Sequence, residues 1–585
     1  WLPWLLKIPF SGFGSLAEYD LRFPRPGDYV PDHAAALLAA PAPVAATPAS
    51  GAAALTLHEP QQKYDIIILA IIDFDFRFQR PQQIAAEMAR RGHRVFWVSP
   101  TRFLPLGSPA SHAVTPLRPN LWEVHLRGTQ PDIYMGTLEE SHLQPLTASL
   151  NQFLREWTVS ENVVMAQLPF WRRLALSLKR QWGSKVVYDC MDDWETFPSI
   201  GAFNISEEHL FAREADVLVV TAAELARKFE AQSLKPVLVR NGADYDFFAA
   251  AQPSQLLSDV PHPIVGYFGA IADWIDLDII YEVAKLRPGY SFVMIGQVFG
   301  RDISKLEALP NMFFLGNKQY QDIPHYLHHF DVCTIPFLIN QVTKATDPVK
   351  LYEYFSLGKP VVATAMAELQ QCADLLYIAH DAEQFATSLD AAIGETDPTL
   401  HQRRIAFSQE NTWGQRVKAI DTAVTGAFDL VSIILVTHNS SRYIRPCLDS
   451  VLHHTSYPNY EVVIVDNAST DDSVAIVKEY AQSNPRIRFV ASEINLGFAG
   501  GNNLAINHSH GQYFILLNID TIVTPGWVGR LLYHIQTDPS IGLICPVTNF
   551  AGNEAKINIE YKNYQEMIRF SQTVAHLNHG LTTDI

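Results

Sequence analysis

The sequence predicts an α/β protein made of two successive doubly wound halves followed by a third, incomplete parallel-sheet unit. Three observations carry that prediction. Short apolar runs such as YDIIILAII, from Tyr64, alternate with stretches of helical spacing, the pattern of buried parallel strands joined by crossover helices. The alternation restarts twice, at Pro263 and after Asp429. The chain's 585 residues, 48% hydrophobic and 11% aromatic, can fill several cores and exclude a disordered or collagen-like protein.

The elements follow in order. Residues 1–32 open WLPWLLKIPF, with neither the layout of a signal peptide nor a helical period, and read as the remnant of an upstream module. Residues 33–63 are rich in Ala and Pro and read as a semi-stiff linker. The first half, 64–255, runs from the Tyr64 strand through the helix in FQRPQQIAAEMARRG to the strand Val95 to Val98, then VVYDC, VLVVT and PVLVRNG. The second half, 256–427, begins at PIVGYFGA, continues through FVMIG, MFFLG, VCTIP and PVVAT, and closes on a terminal helix with Trp413. Each half is Rossmann-like in pattern. The third unit, 428–585, carries VSIILVTHN, EVVIVDNAST, IRFVASEINLG and YFILLNIDTIV. The chain opens at Trp1 without a methionine and stops at Ile585 without an evident terminal element, so a fragment of a longer protein is expected, its third unit truncated.

Acidic residues outnumber basic ones 61 to 44, a formal charge of −17, so no nucleic-acid partner is expected and any anionic ligand has to meet local donors. Five cysteines, Cys190, Cys333, Cys372, Cys447 and Cys545, include no C-x-x-C pair, which argues against a disulfide framework and a cysteine zinc site and for a reducing compartment. The apolar runs fall short of the ~20 residues that span a bilayer.

Two tracts carry chemistry. In KATDPVKLYEYFSLGKPVVAT, Thr346 or Asp347 is placed to cap a helix starting at Pro348, which puts Lys350 and Glu353 on one face. Free helix amides and a lysine suit a diphosphate, and the glutamate suits ribose hydroxyls; a capped helix with a surface ion pair is an equal reading. Gln79, Arg80 and Pro81 open a helix after a strand, either to contact a ligand or as a cap with an exposed arginine. Asp189, Asp192 and Asp193 sit at the end of the VVYDC strand, placed either to face an acceptor or sugar or, the plainer alternative, to form an ordinary turn. In the third unit, Asp466 ends an apolar strand where it can read a uracil or ribose edge, and Gly500 and Gly501 sit in a loop opening a helix, suited to a close phosphate. Asp520 lies just past YFILLN, placed to coordinate Mg²⁺ or Mn²⁺. Each of these alone is an ordinary turn; their order together points to a nucleotide site.

The first tract, with FQRPQQIAAEMARRGHRVFWV, VVYDCMDDW, VRNGADYDFF and Trp413, resembles GT-B glycosyltransferases of the family 4 kind over about residues 64–425. The third unit, on VTHNSSRYIRPCLDSV, VVIVDNASTDDS, EINLGFAGGNNLAI and LLNIDTIVTPGW, resembles the GT-A fold of glycosyltransferase family 2, particularly its bacterial rhamnosyltransferase-like group. The first resemblance implies that Glu353 holds the donor ribose, with Lys344, Lys350, Gly269 and Arg80 completing the donor site and no cofactor. The companion glutamate of the family motif would fall on Ala345, and AIADW follows Gly269 where the family has an arginine. The second implies donor contacts from Thr437, Asn439, Asp466, Asn495 and Asn502, and a divalent cation on Asp520, with Asn518 replacing the first aspartate of D-x-D. It also places the catalytic base beyond residue 585. The implied activity is hexosyltransferase-type: nucleotide-sugar donors give sugars to a glycan or lipid-linked glycan acceptor in cell-surface polysaccharide synthesis. The implied location is cytoplasmic, with attachment to the periphery of the inner membrane left open. Two rivals stand beside it, a GT-B unit that is only a glycan- or partner-binding scaffold, and a dinucleotide oxidoreductase, which the absence of G-x-G-x-x-G after any strand disfavours.

Overall fold

The computed structural model describes residues 63–549, 555–559 and 561–582, so the expected upstream remnant and all of the linker but Lys63 lie outside the described residues. Three sheets succeed one another along the chain. The first has eight strands, in the order His112–Arg118, Leu121–Leu126, Val95–Val98, Asp65–Leu69, Asn162–Ala166, Lys185–Cys190, Val217–Val220 and Val237–Leu238. Its neighbours are parallel apart from the antiparallel pair of the first two. That hairpin was not expected from sequence: His112–Arg118 is a partly exposed edge strand with mixed polar residues, and Pro116 is tolerated there because an edge strand need not donate.

The second sheet has six parallel strands, Met312–Phe314, Ser291–Ile295, Ile264–Phe268, Val332–Ile335, Val361–Thr364 and Tyr377–Ala379. The third has four, Ile487–Ser492, Tyr460–Asn467, Val431–Thr437 and Tyr513–Leu516, also parallel. The central strands DIIIL and IVGYF are buried along their whole length, as a sheet covered by helices on both faces requires. In each sheet the chain runs outward from one central strand and then returns to its other side, which leaves a crevice at the strand ends. These crevices are where ligands are held in such folds.

After the second sheet the chain returns to the first through helix Trp413–Ala427, whose buried stripe Trp413, Val417, Ile420 and Val424 has helical spacing. The helix packs on Arg80–Arg90, where Arg91 Nη2 donates to the Gly414 carbonyl at 2.7 Å. This return closes a GT-B-type pair of halves, and the smaller third sheet is GT-A-like. No helix among the described residues is long and apolar enough to cross a membrane.

The third unit is welded to the first half. Ile66, Val95 and Trp97 of the first sheet share one apolar cluster with Ile433, Leu435 and Val462 of the third. Glu161 sits at the seam: Oε1 accepts the Gly529 amide at 2.9 Å, and Oε2 accepts hydroxyls from Ser160, at 2.6 Å, and Ser456. Trp182 stacks on His579 at 4.1 Å. Replacing Glu161 by Ala leaves the Gly529 and Ser456 donors unsatisfied, which costs about 1–3 kcal/mol. Hydrogen exchange is expected to accelerate through residues 526–532 in Glu161→Ala, with the second half unchanged; an unaltered pattern at this seam would rule out the clamp.

Candidate functional site

The joint between the first two units is built from loops at strand ends. The Asn241 amide donates to Asp347 Oδ2 and its Nδ2 donates to the Asp347 carbonyl, both at 2.6 Å. The Tyr352 hydroxyl donates to the same carboxylate at 3.0 Å, while burial pushes the Asp347 carboxyl up to about 6. Engaged in this way, Asp347 does not cap the following helix, as the sequence suggested. The helix is Val349–Ser356, with Pro348 at its N-cap and no side-chain cap bond.

That helix carries Lys350 and Glu353. The Lys350 ammonium lies 4.9 Å from the Phe337 ring centroid and 5.3 Å from that of Tyr267, and burial lowers it to about 8. Gly269 has φ 132°, and a Cβ there would stand 3.1 Å from Lys350 Cε, so backbone and lysine meet only because the position is glycine. Glu353 is buried and raised to about 7 by loss of solvent; its Oε1 accepts the Tyr320 hydroxyl at 3.0 Å, and that hydroxyl accepts from Gln83 Nε2 of the first half at 2.9 Å. Gly269, Lys350 and Glu353 therefore gather beside the joint.

The other two expected donor residues of this unit lie elsewhere. Lys344 is half-exposed and pairs with Glu224 of the first half at 2.9 Å. Arg80 is buried, contrary to the exposed cap considered from sequence. Its Nη2 meets Asp189 at 2.8 Å, its Nε reaches the other oxygen at 3.3 Å, and its Nη1 donates to the Val239 carbonyl at 2.9 Å, so the guanidinium is engaged inside the first half. Asp193 pairs with Lys228 at 2.6 Å, which leaves Asp192, raised to about 6 by burial, as the member of that acidic trio without an ion pair. Tyr320, which holds Glu353, was not anticipated, because the GNKQYQD loop carries no period or motif.

The third unit holds a cavity of about 420 Å³ at the crevice between strands Val431–Thr437 and Tyr513–Leu516. Among its lining residues are Val436, His438, Asn467, Phe498, Asn502 and Asp520. Asn495 and Asn518 also line it, while Thr437, Asn439 and Asp466 do not. Thr437 and Asp466 are register partners on adjacent strands and are both buried. Asp466 Oδ2 accepts the Ser469 amide at 3.0 Å, but Asp466 Oδ1 and Thr437 Oγ1 have no hydrogen-bond partner among the described residues. Such orphans are rare in native proteins and mark a place where a partner is missing. Asn439, at φ 50°, accepts the Thr470 amide at 2.8 Å and so shapes the loop after the strand.

Gly500 and Gly501 correct another expectation. They lie inside helix Gly497–Asn507 and not in a loop before it, and a Cβ on Gly501 would come 2.7 Å from Val436 Cγ1. The smallness of Gly501 lets the helix approach the strand, while a Cβ on Gly500 would stand 2.9 Å from Leu496 Cβ. Asn467 fixes the helix start, donating to Asn495 Oδ1 at 2.9 Å and accepting the Leu496 amide at 2.8 Å. Asp520 is half-buried and raised by loss of solvent. No group of three or more His, Cys, Asp or Glu side chains among the described residues could hold a metal ion. One carboxylate with Asn518 nevertheless suits a hard cation that takes its other ligands from a diphosphate and water.

Residues 432–585 match the family described as Glycosyl transferase family 2, and residues 262–395 the family described as Glycosyl transferases group 1. A protein named for teichuronic acid biosynthesis, glycosyltransferase TuaH of Bacillus subtilis, is 26% identical over 263 residues, 41% of this chain and 66% of its own. Chondroitin synthase of Escherichia coli is 29% identical over 165 residues, 28% of this chain and 24% of its own. The chain thus spans less than two thirds of the length of either relative. Sucrose-phosphate synthase of Thermosynechococcus elongatus superposes with TM-score 0.49 at 13% identity, over 62% of this chain and 98% of its own. Two stretches of the chain thus match glycosyltransferase family models, residues 262–395 within the GT-B-like pair of halves and residues 432–585 over the GT-A-like third sheet.

The Glu353 environment sets a pH signature. Between its ordinary value of 4.5 and about 7, the folded carboxyl keeps a proton that the unfolded chain has released, so this group subtracts stability as pH rises through that window. Glu353→Gln keeps an acceptor for Tyr320 and removes the titration. Thermal melts are expected to show the variant gaining on the parent from pH 4.5 to pH 8, by roughly 3 kcal/mol at most; a difference independent of pH would contradict the buried carboxyl.

Proposed function

We propose that this protein transfers sugars from nucleotide-sugar donors to hydroxyl groups of a growing glycan in cell-surface polysaccharide synthesis, with one donor site in each transferase-like unit. The observation that carries this reading is the cavity of about 420 Å³ at the strand ends of the third unit, whose lining includes Asn467, Asn495, Asn502, Asn518 and Asp520. Two buried polar oxygens lie in the adjoining strands, the acceptor Asp466 Oδ1 and the hydroxyl Thr437 Oγ1, which can donate or accept. Asn467 and Asn495 hold the start of the helix at Gly497, whose first residues face the same cavity. Asp520 and Asn518 would hold a divalent ion, which when bound offsets the charge developing on the departing diphosphate.

In the GT-B unit Glu353 is suited to ribose hydroxyls, and Lys350 with the Gly269 turn to the diphosphate, in a setting dry enough to strengthen each contact. The names of the relatives, teichuronic acid biosynthesis and chondroitin synthase, support a surface polysaccharide as the product class. A glycan or lipid-linked glycan is the proposed acceptor. One observation favours a binding-only role for the GT-B unit: the Tyr320 hydroxyl already occupies Glu353.

Release of nucleoside diphosphate from a panel of nucleotide sugars, with bacterial surface glycans as acceptors, tests the proposal directly; no release from any pair would overturn it. In calorimetry, UDP or dTDP binding to the third unit is expected to need Mn²⁺ and to be lost in Asp520→Ala even with Mn²⁺ present, whereas equal affinity in chelator would remove the metal role. Glu353→Ala is expected to weaken donor binding at the GT-B unit by about 1.5–3 kcal/mol, the worth of a charged hydrogen bond. An unchanged affinity there would favour the scaffold reading.

A further inference from the structure

Buried cations in this chain are paired. Arg94 meets Asp65 at 2.6 Å, Arg404 meets Glu395 at 2.6 Å and Arg80 meets Asp189 at 2.8 Å, as removal from water demands. Two partly buried cations near the Gly269 turn, one from each half, lack such a carboxylate. Lys350, from the second half, has no hydrogen-bond acceptor and no ion-pair partner among the described residues. Arg77, from the loop between Asp65–Leu69 and Arg80–Arg90 in the first half, has none either.

Arg77 crosses the joint. Its guanidinium lies 4.5 Å from the ring centroid of Phe299, a residue of the second half. Phe299 is tied to the Gly269 turn, for its amide donates to the Ile271 carbonyl at 2.9 Å and Val298 bridges Ile271. The Tyr267 hydroxyl oxygen stands 3.1 Å from the position a Gly269 Cβ would take, and Lys350 Nζ stands 3.3 Å from it. Gly296 packs against the same turn so closely that a Cβ on it would fall 1.9 Å from the Gly269 carbonyl oxygen. The turn built on Gly269 and Gly296 thus has Lys350 against it, and Arg77, from the other half, lies on Phe299 beside it. Phe299 holds the arginine in place without neutralising it.

We propose that Arg77 and Lys350 form a two-cation clamp, closed from both halves, for the diphosphate of the donor nucleotide at the Gly269 turn. The clamp rests on the donor-binding reading of the GT-B unit and adds to it the residue of the first half that grips the diphosphate. Because its two cations come from different halves, diphosphate binding holds the halves together, while a nucleoside alone does not.

The test uses the full chain carrying Asp466→Ala and Asp520→Ala, in chelator, so that the third unit is silent. UDP, dTDP, GDP and ADP are titrated by calorimetry, and the tightest is compared with its own nucleoside. Arg77→Ala is expected to weaken the diphosphate at least tenfold and the nucleoside less than twofold, with Lys350→Ala alike and Arg77→Lys recovering part of the loss. Glu353→Ala is expected to weaken both ligands. Thermal melts of each variant check that the fold persists. If Arg77→Ala leaves diphosphate affinity unchanged, or weakens nucleoside and diphosphate equally, the clamp is overturned and the donor reading stands. If the parent binds none of the four diphosphates, the donor reading fails and the clamp with it.

Discussion

The cleft between the first two units depends on one asparagine. Asn241 uses every polar group it has: its amide and Nδ2 donate to Asp347, its carbonyl accepts Arg416 Nε at 2.9 Å, and its Oδ1 accepts from Arg80 at 3.4 Å. It sits just past a strand only two residues long, Val237–Leu238, so side-chain bonds do there what a longer ladder would otherwise do. Asp347, fixed by Asn241, is two residues before the helix that carries Lys350 and Glu353. Where those groups stand relative to the first half therefore follows from one residue of that half. Each of these buried donors and acceptors would cost about 1–3 kcal/mol if left unpaired, which makes the arrangement hard to vary piecemeal.

A common electrostatic state runs through both candidate sites. Burial raises Glu353 and Asp520 and lowers Lys350 and Arg77, and none of the four owes its shift chiefly to a charged neighbour. Groups held this way are poorly solvated before any ligand arrives. A ligand bearing the matching hydroxyls or charges restores what burial removed, and the groups need little rearrangement to receive it. The paired residues nearby show the contrast: Arg80 with Asp189, and Lys228 with Asp193 and Glu208, are complete in themselves and hold loops.

The sequence made the strands legible because parallel strands buried on both faces read as unbroken apolar runs, and it made Asp466 and Asp520 legible because each ends such a run. It did not reveal the hairpin His112–Arg118 with Leu121–Leu126, whose edge strand lacks that signature. Glycines misled at 500 and 501, since a helix pressed on Val436 and a loop cradling phosphate ask for the same residue. Arg80 and Asp347 misled for another reason: their partners, Asp189 and Asn241, lie more than a hundred positions away. Tyr320 and Arg77 gave no signal at all, because what they touch is decided only when the two halves meet.

The apolar clusters also divide the molecule in a way the chain order does not. The first and third sheets share one cluster, while the second sheet has its own, made almost wholly from residues of its own half. Helix Trp413–Ala427 aside, whose apolar stripe packs on the first half, the links between the second sheet and the first are largely polar: Asn241 with Asp347, Gln83 with Tyr320, and Arg240 with Glu368 at 2.9 Å. Hydrogen bonds of this kind exchange with water at modest net cost, whereas separating an apolar seam exposes area at about 25 cal/mol per Å². Motion between units therefore falls on the second half, moving against a body formed by the first and third. The expected ribose carboxylate, Glu353, lies on the moving side, and through Tyr320 and Gln83 it is bonded to the fixed one. A ribose that displaces the Tyr320 hydroxyl from Glu353 would break one of the links between the halves, so occupancy of this site and the spacing of the halves are set by the same carboxylate.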